Sequence, residues 1–113
     1  KRKVGLMANV YKNSKVDLIN TNITTLYTAP SATTAIVRSV LVSNDSGSED
    51  TITLTITDSA SAVFSVYKNE SVGALSSEEL LKQPLVVMES EILKVTAATG
   101  GRLHVVASYL EVT

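Results

Sequence analysis

Residues 51–57 read Thr-Ile-Thr-Leu-Thr-Ile-Thr, a strict alternation of threonine with a large aliphatic residue. The side chains of a β-strand point alternately to its two faces, so this segment has one apolar face and one face of hydroxyl groups. A helix would not place Ile52, Leu54 and Ile56 on one stripe, and β-branched residues favour a pleated surface. The pattern therefore predicts a strand that is buried on one face.

Short apolar segments of the same kind recur along the 113 residues, separated by turn residues. They predict strands at 16–19, 23–28, 34–43, 51–57, 63–68, 85–88, 92–97 and 102–112. About eight strands at this spacing indicate an all-β domain, an antiparallel β-sandwich or jelly-roll-like fold, rather than β-α-β units. A chain of this length buries enough surface for one hydrophobic core.

The long strand predicted at 34–43 carries apolar residues on both faces, which favours a central position in its sheet. Unbroken alternation assigns one face to Ile36, Val40 and Val42 and the other face to Val37 and Leu41.

Two other segments carry local signals. The polar loop at 44–50 predicts a hairpin that joins strand 34–43 to strand 51–57. Ser76-Ser-Glu-Glu79 resembles a capping box, which predicts a short helix at 77–82, and a strand or irregular edge is an equal alternative there.

The composition excludes several kinds of site. Aromatic residues are 4% of the chain, so Val, Ile, Leu and Ala must fill the core, and a sugar-binding or base-stacking surface is disfavoured. The absence of cysteine excludes disulfides and thiolate metal sites. No apolar run approaches the roughly 18 residues of a membrane span, so no membrane contact is expected.

The charge is unevenly distributed along the chain. Residues 1–15 contain five basic residues and no acid, whereas residues 16–113 contain the other five basic residues and all eleven acids, hence +5 against −6. This asymmetry predicts an extended basic arm at 1–15 ahead of a single β-sandwich domain at 16–113. The alternative is an ordinary solvated terminus. The candidate partner-binding residues of the arm are Lys1, Arg2, Lys3, Lys12 and Lys15.

The sequence offers no set of residues for catalysis. His104 is the only histidine, and we expect it to face solvent on a strand, without the acid and nucleophile of a hydrolase. One histidine is too few for a histidine-based metal site, and the loop at 44–50 lacks the ligand spacing of a calcium loop. We therefore expect no catalytic residue, no cofactor and no metal.

We also expect no binding of nucleic acid. The basic run at 1–3 is too short, and the rest of the chain is too acidic, to bind a phosphate backbone.

Several strand ends carry a family resemblance. The stretches are Thr25-Leu-Tyr-Thr-Ala-Pro30, Thr34-Ala-Ile-Val-Arg-Ser-Val-Leu-Val-Ser-Asn44, Pro84-Leu-Val-Val-Met-Glu89 and Ala107-Ser-Tyr-Leu-Glu-Val112. Together they resemble the pattern of small β-sandwich structural proteins of tailed bacteriophage virions, over about residues 25–112. The chain departs from that pattern at Ser90-Glu91, where the family has Gly-Asp, which puts the geometry of this turn in question.

The resemblance implies a non-enzymatic virion protein that is made in the host cytoplasm. It implies a capsid decoration (cement) protein that stabilises the particle through symmetric protein–protein contacts. The implied partners are the major capsid protein or neck and tail proteins, together with further copies of the chain in a homo-oligomer. The alternative is a tail- or neck-associated β-module, including a receptor- or glycan-binding tail fibre domain.

Overall fold

The computed structural model describes residues 9–113, which form nine β-strands and no helix. The strands are β1 (Asn9–Leu18), β2 (Thr24–Thr28), β3 (Thr34–Asn44), β4 (Asp50–Thr57), β5 (Val63–Val72), β6 (Ser76–Glu79), β7 (Leu85–Val87), β8 (Ile92–Ala97) and β9 (Leu103–Val112).

The strands form two antiparallel sheets that pack face to face. The first sheet has the order β1-β9-β3-β6, with β7 also paired to β3, and the second has the order β2-β8-β4-β5. Because β6 and β7 pair with different ends of β3, they occupy one position in the sheet. Counted in this way, each sheet has four positions, and most connections cross from one sheet to the other. This is the strand order of a jelly roll, so the predicted fold class is confirmed.

The core lies between the two sheets and is almost entirely aliphatic. On β4 the predicted alternation holds, since Ile52 and Leu54 are fully buried. On β8 and β9 the inward residues follow the predicted period of two. The fully buried large side chains are Leu18, Val37, Val40, Val42, Ile52, Leu54, Val72, Val87, Leu93, Val95, Leu103 and Val105.

The predicted faces of β3 are wrong because the strand contains a bulge. The register to β9 shifts between Val37 and Ser39, which leaves Arg38 as an extra residue. Val37 therefore lies on the buried face together with Val40, whereas Ile36 lies on the opposite face. The predicted central position of β3 is confirmed, since it lies between β9 and the β6–β7 position.

The predicted hairpin at 44–50 is also wrong. β3 belongs to the first sheet and β4 to the second, so the loop between Asn44 and Asp50 crosses between the sheets. At 76–79 the structure has the strand alternative, β6, and no helix follows it in the described chain.

The first strand is longer than the sequence suggested. β1 begins at Asn9, and its ten residues pair with β9 from Val112 back to Leu103. The predicted boundary between residues 15 and 16 therefore falls inside a paired strand. The first eight residues of the predicted arm lie outside the described residues.

The turn after β7 contains a residue other than glycine in a left-handed backbone conformation. Ser90 has a φ of 70°, in the left-handed region that glycine adopts easily. The Glu91 carboxylate accepts a 2.8 Å hydrogen bond from the backbone N–H of Met88 and closes the turn. The turn thus takes a left-handed backbone at the position where the phage pattern has Gly-Asp.

Candidate interaction face

An apolar row crosses the outer face of the first sheet. Tyr11 of β1 is the cross-strand neighbour of Leu110 on β9, Leu110 is the neighbour of Ile36 on β3, and Ile36 is the neighbour of Val86 on β7. Tyr11 is 72% exposed and Val86 is 51% exposed, while the two middle residues are half-buried. We call these four residues the apolar row.

The apolar row is wide enough to serve as a contact surface. Neighbouring strands lie about 4.8 Å apart, so four strand positions place Tyr11 and Val86 roughly 14 Å from each other. Single exposed apolar residues are ordinary, but a contiguous apolar patch on a soluble domain is a sign of an interaction site.

A mixed row lies on the same face, four residues further along β1 and β9 and five further along β3, where the bulge adds one. It consists of Lys15 on β1, Val106 on β9, Leu41 on β3 and Glu79 on β6, again in cross-strand register. Leu41 is 40% exposed, and the two charged residues at the ends are also exposed. We call this set the mixed row.

A depression of about 530 Å³ lies between the two rows. Its lining includes Asn13 and Ser108 on neighbouring strands and Arg38 from the bulge of β3. Arg38 is exposed and forms no ion pair with the residues of the described chain. It therefore presents a free guanidinium on this face.

The carboxylate of Glu79 bonds to β3 just after the bulge. It accepts hydrogen bonds from the backbone N–H of Val40 at 2.8 Å and of Leu81 at 3.1 Å, and from the hydroxyl of Ser39. The carbonyl of Val40 accepts from the N–H of Leu80, so the backbone groups of Val40 face β6, and the carboxylate completes the hydrogen bonding where β6 ends.

The edges of both sheets carry features that oppose strand addition. At the first sheet, β1 carries Lys12, Lys15 and Asp17, and the other edge is two short strands separated by Pro84. At the second sheet, β2 is only five residues long, and β5 has two register shifts against β4. Charges, short strands and bulges are the devices by which proteins block edge pairing. The open apolar row is therefore a better candidate for contact than the edges.

Lys12 of the predicted arm has a partner inside the chain. Its Nζ atom lies 2.8 Å from Oε1 of Glu111, a residue that is only 6% exposed. Oε2 of Glu111 accepts a 2.6 Å hydrogen bond from the hydroxyl of Tyr27. The bond to Lys12 is the largest cause that holds the pKa of Glu111 below its ordinary value, and the bond to Tyr27 is the second. The same bond to Glu111 raises the pKa of Lys12. Burial, helped by the bond to Glu111, raises the pKa of Tyr27.

The remaining predicted arm residues divide into two groups. Lys15 lies on the outer face in the mixed row and forms no ion pair with any described residue. Lys1, Arg2 and Lys3 lie outside the described residues.

His104 lies on the outer face beside two acids that are distant from it in sequence. Its Nε2 atom is 3.3 Å from Oδ1 of Asp17, and its Nδ1 atom is 3.8 Å from Oδ2 of Asp45. Ser43 is its cross-strand neighbour on β3, and the Ser43 hydroxyl lies 3.2 Å from that of Ser77. The imidazole is 46% exposed, as expected for a strand histidine that faces solvent. Both of its nitrogens face carboxylates, in an open site rather than in a cleft.

The acidic loop at 44–50 uses its polar groups to connect the sheets. The buried amide of Asn44 donates to the carbonyls of Ser48 and Val72, at 2.8 and 3.1 Å. The buried carboxylate of Asp50 accepts from the backbone N–H groups of Thr51 and Thr99.

Residues 9–113 contain no cluster of three or more His, Cys, Asp or Glu side chains that could hold a metal ion. None of their elements is a helix long and apolar enough to cross a membrane.

No family model and no curated protein matches the chain. Among solved structures, its fold is similar to that of a protein in the structure of the Gt strain of infectious bursal disease virus, with a TM-score of 0.49 and 9% sequence identity over 96% of this chain. The chain spans about a third (33%) of the length of that protein. At this identity the likeness concerns the fold alone.

Sequence reasoning missed the apolar row because cross-strand neighbours depend on register. A signal for it was present in β9, where three of the five outward residues, Val106, Leu110 and Val112, are apolar. So large an apolar share is unusual for a sheet face that meets water.

Proposed function

We propose that the protein is a non-enzymatic structural component of a virus particle and acts through protein–protein contacts on the outer face of its first sheet. The observation that carries the proposal is the apolar row, which remains open on a sandwich whose edges are blocked. A surface of this kind is suited to docking against another protein surface.

Two further observations support the virion role. Jelly rolls are common in viral capsid proteins, although they also occur in lectins and cupins, so the fold alone does not decide. The resemblance of the strand ends to small virion proteins of tailed bacteriophages favours the first of these classes. Within it, we propose a capsid decoration protein, with a neck or tail position as the alternative.

The geometry around His104 supports a role without catalysis. A hydrolase needs an imidazole nitrogen that is free to take the proton of its nucleophile. Here Nε2 faces Asp17 and Nδ1 faces Asp45, so Ser43 has no base available to it. We therefore propose that this group only stabilises the outer face of the sheet.

The glycan-binding alternative lacks a platform in the described part of the chain. The two most exposed aromatic side chains there are Tyr11 and Phe64. They lie on β1 and β5, in different sheets, so they cannot stack on one sugar together. Specific hits on a glycan array would favour the tail-fibre role over the decoration role.

For the N-terminal segment we propose a tethering role restricted to residues 1–8. Residues 9–15 belong to the sandwich, so the segment with Lys1, Arg2 and Lys3 is the part of the predicted arm that remains for a tether to an acidic surface of the particle. The decoration role and this tether can be tested separately.

The test uses particles of the virus that encodes the chain, assembled without it. Purified protein is added back, and its occupancy is measured by gel densitometry and by electron cryo-microscopy. Saturable binding at symmetry-related positions, with higher resistance of the particles to heat, supports the decoration role, and no binding overturns the virion role. Deletion of residues 1–8 should lower occupancy, whereas Phe64→Ser on the second sheet serves as the control that should not.

A further inference from the structure

We propose that the outer face of the first sheet binds the same face of a second copy, around a two-fold axis parallel to the strands and located between β9 and β3. The inference deepens the proposed structural role by naming the partner of the face as another copy of this chain. Its test uses the purified protein alone, so its failure differs from a failure to bind particles.

The apolar row is complementary to itself under this symmetry. The sheet order β1-β9-β3-β6/β7 is reversed by the axis, so β1 faces the β6–β7 position of the second copy, and β9 faces β3. Tyr11 then lies over Val86 of the second copy, and Leu110 lies over its Ile36. Four open apolar residues are covered by four of the same kind.

The mixed row pairs opposite charges under the same axis. Lys15 lies over Glu79 of the second copy, while Val106 lies over its Leu41. Because the contact is two-fold, the ion pair forms twice. Lys15 forms no ion pair within residues 9–113, and Glu79 is already held in position by its bonds at the bulge. The charge pattern therefore fixes the alignment of the two copies along the strands.

The area of the face is sufficient for a reversible dimer. Four strand positions at about 4.8 Å and nine residues along a strand at about 3.3 Å give roughly 500 Å² per copy. Both copies together then bury about 1,000 Å², the lower bound for a specific interface. We therefore expect a dimer that dissociates on dilution.

A pair of engineered cysteines tests the arrangement directly. In Tyr11→Cys/Val86→Cys the two sulfurs of one chain are three strand spacings apart, roughly 14 Å, which is beyond the ~7 Å Cα separation that a disulfide allows. The bond can therefore form only between copies, and the chain has no other cysteine. Mild oxidation should give a covalent dimer of twice the 12.0 kDa chain mass on a non-reducing gel.

A matched pair on the second sheet is the control. Thr25 and Ser65 are also three strand spacings apart, because Thr25 neighbours Lys94, Lys94 neighbours Thr55, and Thr55 neighbours Ser65. Thr25→Cys/Ser65→Cys should remain monomeric under the same oxidation. Equal dimer from both variants, or none from the first, overturns the proposal, and products larger than a dimer overturn the two-fold symmetry.

Light scattering of chains without cysteine provides a second measurement. The unmodified protein should change from monomer to dimer as its concentration rises, and Lys15→Glu should raise the dissociation constant at least tenfold. Lys68→Glu, an equal change of charge on exposed β5, should leave that constant unchanged. A monomer at every concentration, or equal effects of both variants, contradicts the proposed face.

Discussion

The hydroxyl of Tyr27 donates a 2.6 Å hydrogen bond to the carboxylate of Glu111 and so joins β2 of one sheet to β9 of the other. Tyr27 also packs its ring against that of Tyr109, with the ring centroids 4.2 Å apart. A polar bond and an aromatic contact thus occur side by side at one end of an otherwise aliphatic interior.

Removal of the Tyr27 hydroxyl should destabilise the fold. Tyr27→Phe leaves the ring in place but deprives a buried carboxylate of one donor, which costs about 2 kcal/mol for a bond to a charged group. Urea unfolding at neutral pH measures the change. Tyr11→Phe, which removes an exposed hydroxyl from the same end of the molecule, should leave the free energy of unfolding within ~0.5 kcal/mol of the unmodified protein.

Stability should fall in acid as Glu111 takes up a proton. The folded pKa of Glu111 lies below its ordinary value of 4.5, so its contribution is present above that pH and is lost as the pH falls through the folded pKa. Removal of the main cause with Lys12→Met should move the Glu111 midpoint to higher pH. NMR titration of the Glu111 side chain measures this midpoint, and an unchanged value would show that Lys12 does not control it.

A side chain at Gly100 should destabilise the fold. A Cβ atom there would lie 2.6 Å from the carbonyl oxygen of Ile19 and 2.7 Å from Cα of Asn20, both in the backbone of the β1–β2 loop. Gly100→Ala should therefore cost about 1–3 kcal/mol, as other overpacking changes do. Gly47→Ala is the control, because no atom lies within 4 Å of the added Cβ, and thermal unfolding compares the two.

Replacement of one buried hydroxyl should stabilise the protein. Thr57 is 7% exposed, and its Oγ1 atom has no hydrogen-bond partner among residues 9–113. Thr57→Val keeps the shape and removes the desolvation cost, so we expect a gain of about 1 kcal/mol.

Thr33→Val is the matched control for this change. Thr33 is 5% exposed, but its hydroxyl donates to the carbonyl of Ser31 at 3.2 Å. The same substitution there should lose stability, by about 1 kcal/mol. Chemical denaturation measures the free energy of unfolding of both variants. Losses of equal size would show that the Thr57 hydroxyl has a hydrogen-bond partner in solution.

Hydrophobic alternation predicted the fold class and most strands, but it failed where tertiary contacts choose the backbone. The bulge at Arg38 is a shift in the register between β3 and β9, and no local signal specifies that register. The sequence shows only that two polar residues, Arg38 and Ser39, stand together between Val37 and Val40. Turn residues between Asn44 and Asp50 predicted a loop correctly but could not tell a hairpin from a crossing between sheets.

The candidate face was less accessible to sequence reasoning than the fold. Tyr11 and Val86 are 75 positions apart, and only the register of four strand positions places them in one row. The charge asymmetry did point to the N-terminal region. Lys12 forms an ion pair within the chain, however, so the count of basic residues overstated how many of them can bind a partner.

The pairing of Asn9 with Val112 places both chain exits at one corner of the first sheet. A pulling force applied between these exits would act along the hydrogen bonds of β1 and β9, which run perpendicular to antiparallel strands. The ladder would then open like a zipper, one bonded pair after another, instead of resisting in shear. That corner lies at the opposite end of β9 from His104.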